Sequence, residues 1–573
     1  MALAQLVAPN EKASFKGRQL KLRHHLERVE FDQGIILLQG WVALVGHPGQ
    51  QPTLQLHGRD PQGNAWVQDL AFNRDRPDVA GELGLSPAFQ RCGFFYYAAV
   101  PEGQVLELCA HTDGACLSLH RWADASAPPG RASDPNLTPP LPSRLHQHLR
   151  TWRYFLGRSW SLLRSGQWRG FKERATRHAR SAWQVAQLAL KPAAAAQPET
   201  MPPWDCLVVD HDLGGGANQY RRHQLTQELL AASGQDSRVA LLTFSVLTLQ
   251  YVVYRILPEQ RQELVTRGTW SQLQAWLQRS RIAHIFYNNA VSFPQALPLV
   301  QAVQTYCQQH ACRLTVAMHD YFPICPSQHL LQAEGRYCQL PDTATCQACL
   351  ARSEQAMVTL YRHHGIEAWR AVWGQLLATA DEVRIFDPSA QVALQRAYPD
   401  LTLPLSLRPH AVAPLSQAEQ DQLHAWQAQK KRPSGRIGIV GSITSAYKGE
   451  QPVSDLVRAI AHGGQPYEVV VLGECAAMPG LPLRSTGPYR ASELTALIIQ
   501  HDIDIFFFSS VGPETFSYVL HELERYQLPV AAFDLGAQAT FLARYPQGIC
   551  LALTDSAEQV LQKLEPYLRS PTH

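Results

Sequence analysis

No stretch of this chain approaches the roughly 18 consecutive apolar residues that a membrane-crossing helix needs. The opening residues, Met1 to Leu20, also lack the basic-then-apolar order of a secretory signal. Those two absences predict a cytoplasmic protein. Cys92, Cys109, Cys116, Cys206, Cys307 and Cys312 are scattered without the spacing of a disulfide framework, so reduced thiols are expected. Long disorder and a membrane-embedded body are both excluded by composition, with 45% hydrophobic and 17% charged residues. The formal net charge of +3 identifies no partner by itself. A length of 573 residues is too great for one hydrophobic core, and three or four folded units are the natural division.

Residues 1–125 read as a β-sandwich. Short apolar or alternating runs such as Gly34 to Val42 are separated by turn clusters such as His47-Pro48-Gly49 and Asp60-Pro61-Gln62-Gly63. Residues 126–203 form a linker that contains the one strongly biased segment. Between Arg144 and Lys191, eleven cations face Glu173 alone, about +10 there and about −7 elsewhere. Trp152, Tyr154, Phe155, Trp160, Trp168, Phe171 and Trp183 are interleaved with those charges. Such helices fit either the headgroup layer of an anionic membrane or a connector whose rings pack on neighbouring domains. Nucleic acid uses the same residue types, but nothing else in the chain supports it as a partner.

From Trp204 onward the text becomes α/β. Residues 204–410 carry strands at Cys206–Val209, Arg238–Phe244, Ile282–Tyr287 and Arg313–Met318, with a helix from Asn218 to Ala232. Residues 411–573 repeat the alternation with strands at Ile437–Val440, Glu468–Leu472, Ile503–Phe508 and Pro529–Phe533. Two successive doubly wound units predict two Rossmann-like domains with a ligand at the carboxyl ends of their strands.

The densest signal is Gly512-Pro513-Glu514-Thr515-Phe516-Ser517-Tyr518-Val519-Leu520-His521-Glu522, followed by Leu528-Pro529-Val530 and Asp534-Leu535-Gly536-Ala537. Phe516, Val519, Leu520 and Leu523 fit the buried face of a helix, with Pro513 just before it. On such a helix Glu514 and Glu522 stand about 12 Å apart. That exceeds the roughly 5 to 10 Å of a hydrolase carboxylate pair. It suits a grip on two ends of a long ligand, with phosphate oxygens meeting backbone N–H groups near Thr515 to Ser517. Two solvated glutamates on an amphipathic helix are the plainer reading of that spacing taken alone.

This signature resembles that of the retaining GT-B glycosyltransferases of family 4, especially bacterial surface-polysaccharide and lipopolysaccharide members, over about Trp204 to Leu542. The resemblance implies two Rossmann-like domains, a nucleotide-sugar donor, a glycan or lipid-linked acceptor and no catalytic metal. Glu514 is then the residue on the donor sugar's hydroxyls and Glu522 the ribose ligand, with Thr515, Phe516 and Ser517 beside the donor. Gly441 opens a strand-to-loop connection that delivers Lys448 to the pyrophosphate as a point charge. Ser442 stands where many relatives have an arginine, which leaves Arg408 and Arg436 as candidate second cations. Gly214, Gly215, Gly216 and Asn218 form a loop that lacks the Lys-Ser/Thr of a P-loop, and the resemblance turns it toward the transferred sugar and acceptor. His319, in His319-Asp320-Tyr321, becomes a sugar contact.

Cys325, Cys338, Cys346 and Cys349 bring together four thiols, two of them as Cys346-Gln347-Ala348-Cys349, and could make a closed structural zinc site. Disulfides or unpaired thiols remain alternatives. Asp502-Ile503-Asp504 matches the minimal metal motif of GT-A transferases but reads as the start of a strand. Two other functions share the architecture: a sugar-nucleotide epimerase, and an inactive carbohydrate-binding or scaffold protein. The second draws on Ser442 and on a turn after Ala537 reading Gln538-Ala539-Thr540. Arg74 to Val79 with Gly93-Phe94 resembles β-domains appended to some bacterial transferases.

Overall fold

The computed structural model describes residues 13–122 and 203–569, each with short breaks, and the basic segment from Arg144 to Lys191 lies outside the described residues. The chain divides into two compact units. One holds Met1–Ala195 with two short later segments, and the other holds nearly all of Ala196 to His573.

The first unit contains β1 (Ala13–Phe15), β2 (Arg18–Asp32), β3 (Ile35–Val45), β4 (Thr53–Arg59), β5 (Ala65–Leu70), β6 (Gly93–Ala99), β7 (Leu106–Thr112) and β8 (Ala115–Trp122). They form two four-stranded antiparallel sheets, ordered β1-β2-β3-β6 and β5-β4-β7-β8. Alternation sets the faces: on β4 Leu54, Leu56 and Gly58 are buried while Thr53 and Arg59 are exposed. Two antiparallel sheets with apolar faces are the parts of a sandwich. Arg74 and Gly93 exchange two backbone hydrogen bonds of 3.0 Å, so the Arg74 to Val79 stretch is tied to the start of β6.

The second unit holds two larger sheets. The first is built from β9 (Cys206–Val209), β10 (Val239–Ser245), β11 (Gln250–Ile256), β12 (Gln262–Gly268), β13 (His284–Tyr287), β14 (Arg313–Ala317), β15 (Glu382–Ile385) and β16 (Leu405–Leu407). Its order is β12-β11-β10-β9-β13-β14-β15-β16, parallel from β10 through β16, with the unforeseen antiparallel pair β11–β12 at one edge. The second sheet is built from β17 (Arg436–Ile443), β18 (Glu468–Cys475), β19 (Leu483–Ser485), β20 (Ile505–Phe508), β21 (Val530–Phe533) and β22 (Gly548–Leu551). All its strands are parallel, in the order β19-β18-β17-β20-β21-β22. Both expected Rossmann-like domains are therefore present.

Why these strands read as unbroken apolar runs is visible at β20. Ile505 and Phe507 enter one core cluster with Ile437, Val469 and Ala531, whereas Phe506 and Phe508 enter the cluster on the opposite face with Val470 and Val530. A parallel strand covered on both faces has no polar side to alternate with. Helix starts, by contrast, are fixed by polar groups. Ser416 caps the helix Gln417–Gln429 by accepting the N–H of Glu419, whose carboxylate in turn accepts from Ser416.

Three local expectations need correction. The helix expected from Asn218 runs from Gly216, and its second turn, Arg221–Leu225, is π-helical. The helix after Gly512 begins only at Tyr518, with Ser517 as its cap, so Glu514 precedes it and the 12 Å axial spacing does not apply. Gln538 to Thr540 is no turn but part of the helix Gly536–Arg544.

Asp502 and Asp504 lie at the amino end of β20, opposite the carboxyl edge where loops gather. Asp504 accepts the backbone N–H groups of Ser434 and Arg436 and pairs with Lys430 at 2.8 Å, its own side chain only 3% exposed. Its oxygens are consumed by the entry to β17. We expect Asp504→Ala to destabilise the chain by about 2 kcal/mol, because it leaves the Ser434 and Arg436 amides unpaired while Lys430 keeps its bond to Asp502. Urea unfolding of the variant measures this, and an unchanged midpoint would contradict it.

Candidate functional site

In each large sheet the strand order reverses once. Chain order runs from β9 outward to β10 and then back across to β13; likewise it runs from β17 outward through β18 and β19, then back to β20. At such switch points neighbouring loops leave in opposite directions and open a crevice at the carboxyl edge. The glycine loop after β9, His319 after β14, Gly441 to Lys448 at the end of β17 and Glu514 after β20 all fall at the carboxyl edges of those sheets.

After β9 the chain passes through Asp210 to the glycines. Gly214 and Gly215 have φ of 87° and 83°, conformations that disfavour a side chain. Asn218 fixes the loop: its Oδ1 accepts the Gly214 N–H at 2.6 Å, while its Nδ2 donates to Asp210 Oδ2 at 2.8 Å and the His211 carbonyl at 2.7 Å. Asn218 is thus a buried brace beneath the loop, 2% exposed, rather than a ligand-facing group. Arg221 donates to the same Asp210 oxygen, both side chains being almost fully enclosed. Sequence reasoning missed this ion pair, although a carboxylate at a strand end with an arginine eleven residues on the following helix is a usable signal.

From the neighbouring switch-point strand β13 come Asn288 and Asn289, both of whose N–H groups bond the Val209 carbonyl. Asn288 Oδ1 lies 2.8 Å from His319 Nε2, and Asn289 donates to Asp320. His319 stacks on Phe386 and runs parallel to His410 at 5.4 Å. Burial and the facing His410 hold His319 well below the ordinary histidine range. It is a neutral ring and no proton donor in the imidazolium sense, but its Nδ1 stays available for a hydrogen bond.

On the second sheet, Gly441 has φ 121° and open space where a Cβ would stand, and Gly449 admits no Cβ because the Ser509 carbonyl would lie 1.9 Å away. Between them Tyr447 and Lys448 turn toward Glu514. Its Oε1 accepts from the Tyr447 hydroxyl at 2.9 Å and from Lys448 Nζ at 3.1 Å. Glu514 is 9% exposed whereas the Lys448 side chain is 40% exposed. The carboxylate is held from below and the ammonium reaches solvent. Behind them Gln538, wholly buried, accepts the Glu514 N–H at 3.0 Å and donates to the Gly512 carbonyl at 2.8 Å. Gly536, with φ 52°, lets the backbone pass within contact of Glu514 and Pro513.

Direct contacts join the two edges. Thr515 Oγ1 donates to the His319 carbonyl at 2.7 Å, and the His329 ring stacks on Tyr447 at 3.6 Å. Phe516 packs against the core of the first large sheet. Tyr518 lies 3.5 Å from the Cβ position of Gly216 and stacks on His410, which also meets Phe516 edge-on. Gly216, His319, His410, Glu514, Thr515 and Tyr518 therefore meet across one cleft. Ser517 caps the helix Tyr518–Glu524, and Thr515 is engaged by His319, so neither hydroxyl is free in this arrangement. Glu522 sits one turn into that helix, its carboxyl raised by burial and lowered less by Arg525.

Neither candidate second cation joins the cleft. Arg436 pairs with Glu468 at the amino end of β17, and Arg408 bonds Ser406 beside Glu382. The four cysteines are electrostatic neighbours, since Cys325 feels Cys338 and Cys346, while Cys338 feels Cys346 and Cys349. The Arg370 guanidinium donates to the Cys346 sulfur at 3.6 Å. All four thiols are free.

No model of a known protein family and no curated protein matches the chain. Among solved structures, it is similar to a sucrose-phosphate synthase from Thermosynechococcus elongatus, at 14% identity over 63% of this chain and 89% of that one, TM-score 0.41. It is similar to Anabaena HepE, described in complex with UDP and glucose, at 14% identity over 63% and 89%, TM-score 0.38. WaaG, a glycosyltransferase involved in lipopolysaccharide biosynthesis, matches at 12% identity over 52% and 85%, TM-score 0.32. Among the described residues no helix is long and apolar enough to cross a membrane.

The histidines make the cleft acid-sensitive. His410 is held down to about 3 by burial, with a smaller contribution from His521, against about 6.5 in an unfolded chain. Stability from the neutral ring is complete above pH ~6.5 and is lost as the pH falls toward ~3, because only the unfolded state then takes up the proton. Unfolding free energies measured from neutral to moderately acid pH should fall, and His410→Leu should reduce that slope by about 1.4 kcal/mol per pH unit. An identical slope in the variant would contradict the assignment.

Proposed function

We propose that this chain is a nucleotide-sugar-dependent glycosyltransferase that moves a sugar with retention to a glycan or lipid-linked acceptor, in the synthesis of a bacterial surface polysaccharide or lipopolysaccharide. The observation that carries this reading is the meeting of two switch-point crevices, one bearing an anchored carboxylate beside a solvent-reaching ammonium, the other a left-handed glycine loop. A nucleoside diphosphate-sugar has the matching parts: a dianionic centre for Lys448, hydroxyls for Glu514, and a ribose for Glu522. The Gly441 loop gives the pyrophosphate close approach to backbone. Thr515, Phe516 and Ser517 keep the roles of shaping the donor side, through the contacts that fix Glu514, rather than of touching the donor with their own hydroxyls. Gly214, Gly215 and Gly216 cover the sugar and acceptor side, with His319 as a neutral hydrogen-bonding group at the transferred sugar.

Charge supports the division of labour. A sugar acquiring positive character in the transition state is stabilised by a carboxylate already oriented by the Tyr447 hydroxyl, a contact that remains when Lys448 turns to the phosphates. Binding the donor draws Lys448 partly from Glu514 to the phosphates, so the ion pair seen in the free protein is a resting arrangement of two groups with different partners. No catalytic metal enters this scheme. The basic aromatic segment is proposed to rest on an anionic membrane where a lipid-linked acceptor resides, and a structural zinc at Cys325 to Cys349 requires those sulfurs, no three of which lie within 4.8 Å of one another, to draw together on binding.

Steady-state kinetics on folded variants test the reading. Glu514→Gln should lower kcat by about 100-fold or more with donor KM changed little, since its contact tightens in the transition state. Glu522→Gln should chiefly raise donor KM, by about tenfold, because a ribose contact is equal in ground and transition states. NMR of the product should show the donor's anomeric configuration. Full activity in Glu514→Gln would contradict the site, and an inverted product the stereochemistry.

A further inference from the structure

The outer face of the sheet β5-β4-β7-β8 carries a group of side chains that the transferase reading does not use. Gln55 and His57 project from β4 on the face opposite Leu54 and Leu56, and Cys109 and His111 project from β7 on the same side, Gln55 standing directly across from Cys109. His57, Cys109 and His111 bring one nitrogen, one sulfur and one nitrogen within 4.8 Å of one another, and among the described residues they form the one group of three potential metal-binding side chains that does so. The cysteines from Cys325 to Cys349 form no such group.

The spacing is informative. The Nε2 atoms of His57 and His111 are 3.3 Å apart, with the rings nearly parallel at 12°. A tetrahedral zinc ion with bonds of about 2.0–2.1 Å to two imidazoles holds their nitrogens about 3.3–3.4 Å apart. The same two atoms without a cation must share a single proton, while the His57 nitrogen also faces Gln55 Oε1 at 3.2 Å. Cys109 is 2% exposed, which shelters the sulfur, and the thiol of Cys116, opposite His111 on β8, stands within hydrogen-bond reach of it. Gln55 donates to Asp69 at 2.8 Å, giving the group an outer layer of oriented polar side chains.

We infer that this face is a metal site, and that His57 Nε2, His111 Nε2 and the Cys109 thiolate bind one zinc ion there. Mixed imidazole and thiolate donors favour zinc over the hard cations, and binding displaces the Cys109 proton to solvent. The ion ties β4 to β7 at the centre of the sheet. All three of its ligands belong to the first unit, so its role is in holding the all-β unit together.

The test uses the full chain, stripped with a chelator, reloaded with zinc alone and freed of loose metal by gel filtration. Three proteins are compared: the parent, a His57→Gln/His111→Gln double variant, and a Cys346→Ser/Cys349→Ser double variant that disables the other cysteine group. Metal counted by mass spectrometry should be lower by one zinc per chain in the histidine variant than in the parent. The Cys346→Ser/Cys349→Ser protein should keep that zinc, and its cobalt-loaded form should show a thiolate-to-cobalt charge-transfer band that disappears on adding Cys109→Ser. The appearance of that band needs no substitution within the sheet, so this part of the test stands even if the sheet variants fold poorly. Equal zinc in parent and histidine variant, or a cobalt spectrum without thiolate character, would overturn the site. Neither result bears on transferase activity.

Discussion

The segment from Gly512 to Ser517 has no regular secondary structure to fix its course, and the position of Glu514 rests on it. Its shape is imposed from behind by one buried amide. Gln538 uses both ends of its side chain, one on the Glu514 N–H and one on the Gly512 carbonyl. A buried amide so satisfied costs little, whereas leaving two buried backbone groups unpaired costs about 1–3 kcal/mol each. The clamp therefore has one low-energy geometry, and that geometry sets Glu514 against Tyr447 and Lys448.

The same segment joins the two large domains. Thr515 reaches the His319 carbonyl, Phe516 enters the core of the first large sheet, and Tyr518 lies between Gly216 and His410. A loop that follows β20 of the second large sheet thus packs against the core of the first. The consequence is that Glu514 is located relative to His319 by contacts only a few residues away, rather than through the long linker around Ala411 and Ala413. That linker is itself fastened from both sides, by Gln224 to the Ala411 carbonyl and by Arg525 to the Ala413 carbonyl.

The strands were legible because burial on both faces leaves a mark in composition: Cys206 to Val209 and Ile505 to Phe508 are apolar throughout, and each is a strand to within a residue or two of the expected limits. The glycines at 214, 215 and 441 were legible for a related reason, since their backbone angles exclude most other residues. Periodicity failed at Phe516. Its spacing to Val519, Leu520 and Leu523 matches a helix, but the ring packs, partly buried, against the core of a different domain, and a period of apolar residues cannot say whose core receives them. His410 left no pattern at all, because its ring partners come from Tyr220, His319, Phe386, Phe516 and Tyr518, which are dispersed along the chain. Gln538 was read as part of a turn, and only the glycine two positions before it, Gly536, marked a place where backbones pass closely.

The central claim is that the cleft accepts a nucleoside diphosphate beside Glu514, with Lys448 as the charge that neutralises the phosphates. Isothermal titration of a panel of nucleoside diphosphates into the parent protein and Lys448→Ala addresses it without needing the sugar or the acceptor to be known. The account predicts one diphosphate bound per chain, with affinity reduced at least tenfold in Lys448→Ala, equivalent to about 1.4 kcal/mol. Absence of binding across the panel, or equal affinity in the two proteins, would contradict it.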